Sequence, residues 1–344
     1  MKRRIASYAK HAQETFNERP LTAGDALVFS SVSYVQFFAD EDAFPFKIAD
    51  SLDKTFGNSV LLGCASSRRY RDVKILYQKT VFLQKPHCQF SVTVFEFDEK
   101  KLFIAFKGTD ETVVGWLEDF DIIHEKRLLS HDLGIDVLND FARRYPEHTL
   151  FVGGHSKGGH VATYAAAFCD DEIKNRIEKV YCFDGPGFLP EIRFSPEYKE
   201  VLKKTEKYVP APSFIGMILT GSDPVIPASS FGFWMQKHDH FSWYIQDNGE
   251  MVVLKKLKPI ALKTKRVFQK VISVLSWEER KMFADIAERT LFYAEIDNIY
   301  AMRPRSIHRI FHYLLLRVTD PAEKKFLKWL RREFIIGFLS PFCK

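Results

Sequence analysis

The sequence has no run of about 18 apolar residues, the length a helix needs to cross a bilayer. Its basic start, MKRRIASYAKHAQETFNERP, lacks the apolar stretch of a secretory signal, so the expected location is the cytoplasm, at most peripheral to a membrane. Cysteine is scarce. Cys64, Cys88, Cys169, Cys182 and Cys343 are odd in number and show no CxxC spacing, which argues against a secreted disulfide framework or a zinc ribbon. GxGxxG and GxxxxGK[ST] are both absent, so no phosphate-binding loop is signalled and no cofactor is expected. HExxH is absent too. His308 and His312 lie four apart on a predicted helix but have no third ligand, and the reading is no metal. There are no internal repeats and no low-complexity linker.

What is present is an ordinary globular composition of 344 residues, enough for one large domain or one domain with a helical appendage. Thirty-two phenylalanines bring the aromatic share to 15%, serving a packed core first and an acyl pocket second. The net charge of +6 is unevenly spread: residues 255–344 hold 20 Lys and Arg against 9 Asp and Glu, leaving the preceding part acidic. Such a segregated tail reads first as a solvated helical face and second as contact with an anionic membrane. No nucleic-acid module accompanies it, so nucleic acid is not an expected partner.

Local patterns give an element order. LVFSSVSYVQFF over 27–38 predicts a buried helix capped near Asp25. Two β-rich runs, 89–98 and 102–107, flank a short charged turn and read as a hairpin. Strands and helices then alternate: helices over 113–123 and 133–145, a strand over 149–153, a helix over 158–169, a strand over 179–183. A helix over 197–204 and strands near 207–209 and Val225 follow. Alternation of this kind predicts a mostly parallel sheet flanked by helices. Beyond Lys255 the sequence is helical, with helix starts at Ser276 and Asp320. The last helix carries Phe326, Leu330, Phe334 and Phe338 at four-residue intervals, amphipathic and basic, docking on the core or resting on a membrane surface.

The strongest signal is FVGGHSKGGH at 151–160, an apolar strand entering Gly-x-Ser-x-Gly and then a helix rich in small residues. That context is what a nucleophile elbow of the α/β-hydrolase fold requires. A sharp turn lifts the Ser156 hydroxyl above the sheet edge, and the following helix N-terminus favours negative charge. The Lys157 N–H is one expected oxyanion donor. Thr109, at the end of the strand FIAFKGTD, is the candidate for the other. The remaining members should follow as acid, then histidine. His238 and His240, in QKHDHFSW, are candidate bases. Asp223, in GSDPVIP, is preferred as the acid, with Asp184, in FDGPGF, as the alternative.

Taken together, FIAFKGTD with Trp116 and Asp119, FVGGHSKGGHVA, SDPVIP and a final histidine resemble the lipase class three group of α/β-hydrolases. The resemblance is closer to a bacterial branch, the Mbeg-like proteins, through GHSKGG, DGPGF and a QHD-type segment before Phe-Ser-Trp, here split by Lys237. It runs from about Asp25 to Trp243. It implies Ser156 as nucleophile and His238 rather than His240 as base, and leaves the acid open. Lys157 stands where true lipases usually carry leucine. Residues 1–254 then read as the hydrolase domain and 255–344 as a basic helical extension packed on it. The expected function is that of a serine hydrolase cleaving a carboxylic ester or thioester, lipase- or esterase-like, on a small-molecule or lipid acyl ester. The alternative is a non-catalytic hydrolase-fold scaffold that binds a membrane surface or a protein through its basic tail.

Overall fold

The computed structural model describes residues 2–38, 43–110, 112–293, 312 and 314–339. The chain opens with β1 (Lys2–Arg4), α1 (Ile5–His11), α2 (Ala23–Val32), β2 (Phe46–Lys47) and α3 (Ser59–Ser66). Next come β3 (Lys74–Leu83), β4 (Cys88–Asp98), β5 (Lys101–Phe106), α4 (Val113–Asp121), α5 (Leu129–Arg144), β6 (Thr149–His155) and α6 (Lys157–Phe168). Then follow α7 (Asp171–Lys174), β7 (Ile177–Phe183), α8 (Pro190–Arg193), α9 (Pro196–Leu202), β8 (Thr205–Pro210), β9 (Ile226–Ala228) and β10 (Tyr244–Gln246). The C-terminal part holds α10 (Pro259–Val274), α11 (Trp277–Tyr293) and α12 (Pro321–Leu339).

Strands β2 to β9 form one sheet in chain order. Pairing is antiparallel from β2 through β5 and parallel from β5 through β9. The two middle strands, β5 and β6, are buried nearly throughout, as a sheet covered on both faces demands. One face carries Phe95 and Phe103 beneath α1 to α3, with Phe29 of α2 packed against them; the other packs Val152 and Leu150 against α5, α6 and α9. This is the α/β-hydrolase arrangement. A separate two-stranded sheet pairs β1 with β10 and ties the N-terminus to the residues after His240.

Two local expectations shift. The first buried helix runs over Ala23–Val32 rather than 27–38, because Thr22 is its cap and Asp25 completes a capping box inside it. The Asp25 carboxylate also takes Arg69 at 2.6 Å and Tyr8 at 2.9 Å, so an acid placed for capping anchors a buried ion pair. Strand β3 is the other surprise. Its side chains alternate poorly in burial and several are exposed, so the sequence carries little strand signal there.

The C-terminal helices begin where their caps lie. Ser276 exchanges bonds with Glu279, and Asp320 accepts from the N–H groups of Ala322 and Glu323. They bury Val267, Val271, Ile286, Leu327, Leu330 and Phe334 against one another. Edge-on aromatic contacts join them to the rest of the fold, Phe268 to Phe214 in the loop after β8 at 5.8 Å and Phe283 to Phe120 of α4 at 6.0 Å. Among the described residues no helix is long and apolar enough to cross a membrane.

Candidate active site

The turn between β6 and α6 is built by steric exclusion. Ser156 sits at φ 57° and ψ −130°, a conformation that costs a non-glycine residue energy and persists only where its surroundings enforce it. Glycines on either side supply that enforcement. A Cβ on Gly158 would lie 2.1 Å from the Phe106 carbonyl oxygen, and one on Gly154 would lie 2.3 Å from the Gly158 carbonyl carbon. The backbone of β5 can therefore press against the turn, and the Ser156 N–H donates to the Phe183 carbonyl at 2.8 Å. The hydroxyl borders a cavity of about 790 Å³.

A line of hydrogen bonds reaches the serine. The Ser156 hydroxyl lies 3.0 Å from His238 Nε2, and His238 Nδ1 donates to Asp184 Oδ2 at 2.7 Å. Asp184 follows directly on β7 and holds φ 52°, a region that Asp tolerates better than most residues. Its other oxygen accepts from the Ser213 hydroxyl at 2.5 Å and the Gly216 N–H at 3.1 Å. The carboxylate is thus fixed in place with both oxygens engaged.

Asp223, the acid preferred from sequence, does not reach the imidazole, and that expectation is corrected. Its carboxylate accepts from the Tyr198 hydroxyl at 2.7 Å and lies 3.6 Å from Arg193 Nε, which holds the start of β9 against α8 and α9. His240 does not reach the serine either. Its ring is buried between Tyr34 and His155, 4.8 Å from each, and burial with the neighbouring His238 holds its pKa down to about 3.

His155, within the elbow motif, has a part that sequence reading missed. Its Nε2 lies 2.7 Å from the backbone carbonyl of His238, which only accepts, so Nε2 carries the proton and Nδ1 accepts from the Tyr34 hydroxyl at 3.0 Å. Burial keeps the ring neutral, well below the usual histidine range. The residue before the nucleophile thereby grips the backbone of the loop that carries His238.

Lys157 is placed in an unexpected way. As first residue of α6 its N–H has no partner within the helix. Its side chain is buried in the protein. The ammonium pairs with the buried Glu118 carboxylate and donates to the Gln89 carbonyl at 2.8 Å. Burial opposes its charge, but Glu118 and Asp119 outweigh that and keep its pKa raised. Lys157 is absent from the cavity wall, so its polarity leaves the cavity apolar.

Thr109 does border the cavity, and its hydroxyl donates to Asp119 Oδ2 at 2.8 Å. That bond ties the side chain to α4. Burial pushes the Asp119 pKa up to about 6. Gly108 is in van der Waals reach of the elbow: a Cβ there would lie 3.1 Å from the Ser156 Cβ. The segment after β5 and the turn after β6 therefore form one continuous rim.

No group of three or more His, Cys, Asp or Glu side chains suited to a metal occurs among the described residues. His312 is exposed, and His308 lies outside the described residues.

A family model described as Mbeg1-like matches residues 64–288. Among solved structures, the chain is similar to a fungal lipase in an inhibitor complex at 16% identity and TM-score 0.40, over 62% of this chain and 79% of that one. It is similar to M37 lipase at 14% identity and TM-score 0.40, over 57% and 70% of the two chains. Similarity to Lip2 lipase from Yarrowia lipolytica is 12% with TM-score 0.37, over 60% and 78%. At such scores the likenesses carry no argument about activity. No curated protein matches the chain. The family match covers more than half of the sequence, includes Ser156, Asp184 and His238, and makes this chain a member of the Mbeg1-like family.

Proposed function

We propose that the protein is a serine hydrolase that cleaves a carboxylic ester or thioester through an acyl-enzyme. His238 Nε2 takes the proton of the Ser156 hydroxyl as its oxygen attacks the carbonyl carbon. Asp184 holds the imidazole in the tautomer that accepts at Nε2 and stabilises the imidazolium that forms. The N–H groups of Lys157 and Thr109 donate to the developing oxyanion. The C–O or C–S bond breaks as His238 returns the proton to the leaving alcohol or thiol. Water, deprotonated by the same imidazole, then releases the acid and restores Ser156.

The observation that carries this reading is the unbroken line from Asp184 through His238 to a serine held at positive φ beside an apolar cavity. A structural ion pair would need none of that strain. The scaffold alternative has no comparable support, because Val267, Val271, Leu330 and Phe334 of α10 and α12 are buried against one another or toward the cavity.

Treatment with a fluorophosphonate tests the proposal. Wild type takes up one equivalent and Ser156→Ala none. Labelling that persists in Ser156→Ala, or is absent from wild type, contradicts it.

A further inference from the structure

The cavity has two unlike ends. Near Ser156 it offers hydrogen-bonding groups, from Tyr34, Thr109, Asp119 and His238. Away from the serine the wall becomes hydrocarbon. The C-terminal helices supply Phe268, Val271 and Ile272 from α10, Phe283 from α11, and Leu330 and Phe334 from α12. None of these six side chains can form a hydrogen bond. A ligand filling the space would be polar at its reacting end and apolar along the rest, and about 790 Å³ lies within the roughly 300–1,000 Å³ usual for small-molecule pockets.

The far wall is also held firmly. Val271, Leu330 and Phe334 are each under a tenth exposed and belong to the core that the C-terminal helices share. Phe334 meets Phe268 edge-on at 5.3 Å, and Phe268 meets Phe214 at 5.8 Å, so an aromatic ladder runs from the sheet's loops to α12. Such a wall can measure length, because lengthening or shortening a side chain there changes the room available without touching the reacting atoms.

We infer that the C-terminal helices form the acyl-chain site: the substrate's acyl group lies between α10 and α12, and Leu330 and Phe334 set the longest chain accepted. This rests on Ser156 being the nucleophile, since that fixes which end of the ligand is the carbonyl. Exposed basic residues of these helices, Arg266 and Lys270 among them, lie off the cavity wall. Their apolar faces serve the substrate.

Two readouts test the site separately. The first is binding of straight-chain fatty acids of increasing length to Ser156→Ala, followed calorimetrically. Each added methylene tightens binding about fourfold, equivalent to about 0.8 kcal/mol, until the cavity is full, after which affinity stops rising. Leu330→Phe moves that limit to shorter chains and Phe334→Leu moves it to longer ones. The second readout is the ratio of kcat/KM for decanoyl over butyryl p-nitrophenyl esters. It falls roughly tenfold in Leu330→Phe and rises in Phe334→Leu. The two substitutions have opposite signs, so general loss of folding cannot imitate the pair; if one variant does not fold, Ile272→Phe replaces it as a narrowing change.

Fatty-acid affinity independent of chain length, or a length limit unmoved by folded variants, overturns the acyl site. Length-dependent binding that shifts with Leu330 and Phe334, in a wild type that hydrolyses no ester, overturns the hydrolase reading and leaves the acyl site standing. Hydrolysis whose chain preference ignores all these variants does the reverse.

Discussion

The sheet and the C-terminal helices both border the cavity, but they contribute in different currencies. The sheet brings backbone geometry and charge: a serine at positive φ, glycines where no Cβ fits, and a buried Lys157–Glu118 pair under the turn. The helices bring hydrocarbon surface, with Phe268, Leu330 and Phe334 facing the space that the serine opens on. Geometry of the first kind tolerates almost no substitution, since a misplaced atom of an ångström disables positioning. Apolar surface of the second kind can be resized. A fold organised this way can keep one chemistry and alter which chain it accepts.

The contrast can be broken most sharply at the acid. Asp184→Asn leaves the imidazole without its orienting carboxylate and lowers kcat by about 10⁴-fold, whereas Asp223→Asn, which disturbs the Tyr198 bond and the Arg193 ion pair, stays within about tenfold. Steady-state kinetics on a short ester checks the pair, and equal losses would mean that the hydrogen-bonded line does not operate.

A smaller effect separates the two regions by stability. Leu327 is fully buried in the core of the C-terminal helices and does not border the cavity. Leu327→Ala costs about 2–5 kcal/mol there. Amide exchange rises in α10 to α12 while the amides of β5 to β7 keep their protection. Equal loosening of the sheet would show that the two regions stand or fall together.

The smallest effect is one of pH. His240 is buried with a pKa of about 3, depressed from the usual histidine value near 6.5. The unfolded chain therefore gains a proton below about pH 6.5 that the folded protein refuses, and stability present above that pH is lost as the pH falls. The loss is about 1.4 kcal/mol per pH unit for one such group. His240→Phe fills the same buried space without a titrating ring. Between pH 7 and 5 it loses roughly 2 kcal/mol less than wild type in urea unfolding. An unchanged slope would place the acid sensitivity elsewhere, at His131, His155 or His160, which burial depresses in the same direction.

The same contrast explains what was legible in the sequence. The elbow could be read because its requirements are local: a strand, small residues at fixed offsets around Ser156, and a helix behind. The alternating elements of the sheet could be read for the same reason, except β3, whose exposed side chains blur the strand pattern. The acid could not. Asp184 and Asp223 both sit in glycine- and proline-containing turns ahead of His238, and only the approach of β7 to the His238 loop decides between them. Nor could the partner of Lys157, since Glu118 lies 39 residues upstream. The four-residue spacing of Phe326, Leu330, Phe334 and Phe338 correctly marked an amphipathic helix. Periodicity does not say what the apolar face meets, and of these four only Leu330 and Phe334 border the cavity.

The measurement closest to the central claim is the site of covalent capture. Wild-type protein reacted with an alkyl fluorophosphonate, digested and mapped by mass spectrometry, is predicted to carry the phosphonate on Ser156 alone, with capture greatly slowed in His238→Ala. An adduct on any other residue, or capture at Ser156 that is indifferent to His238, would contradict it.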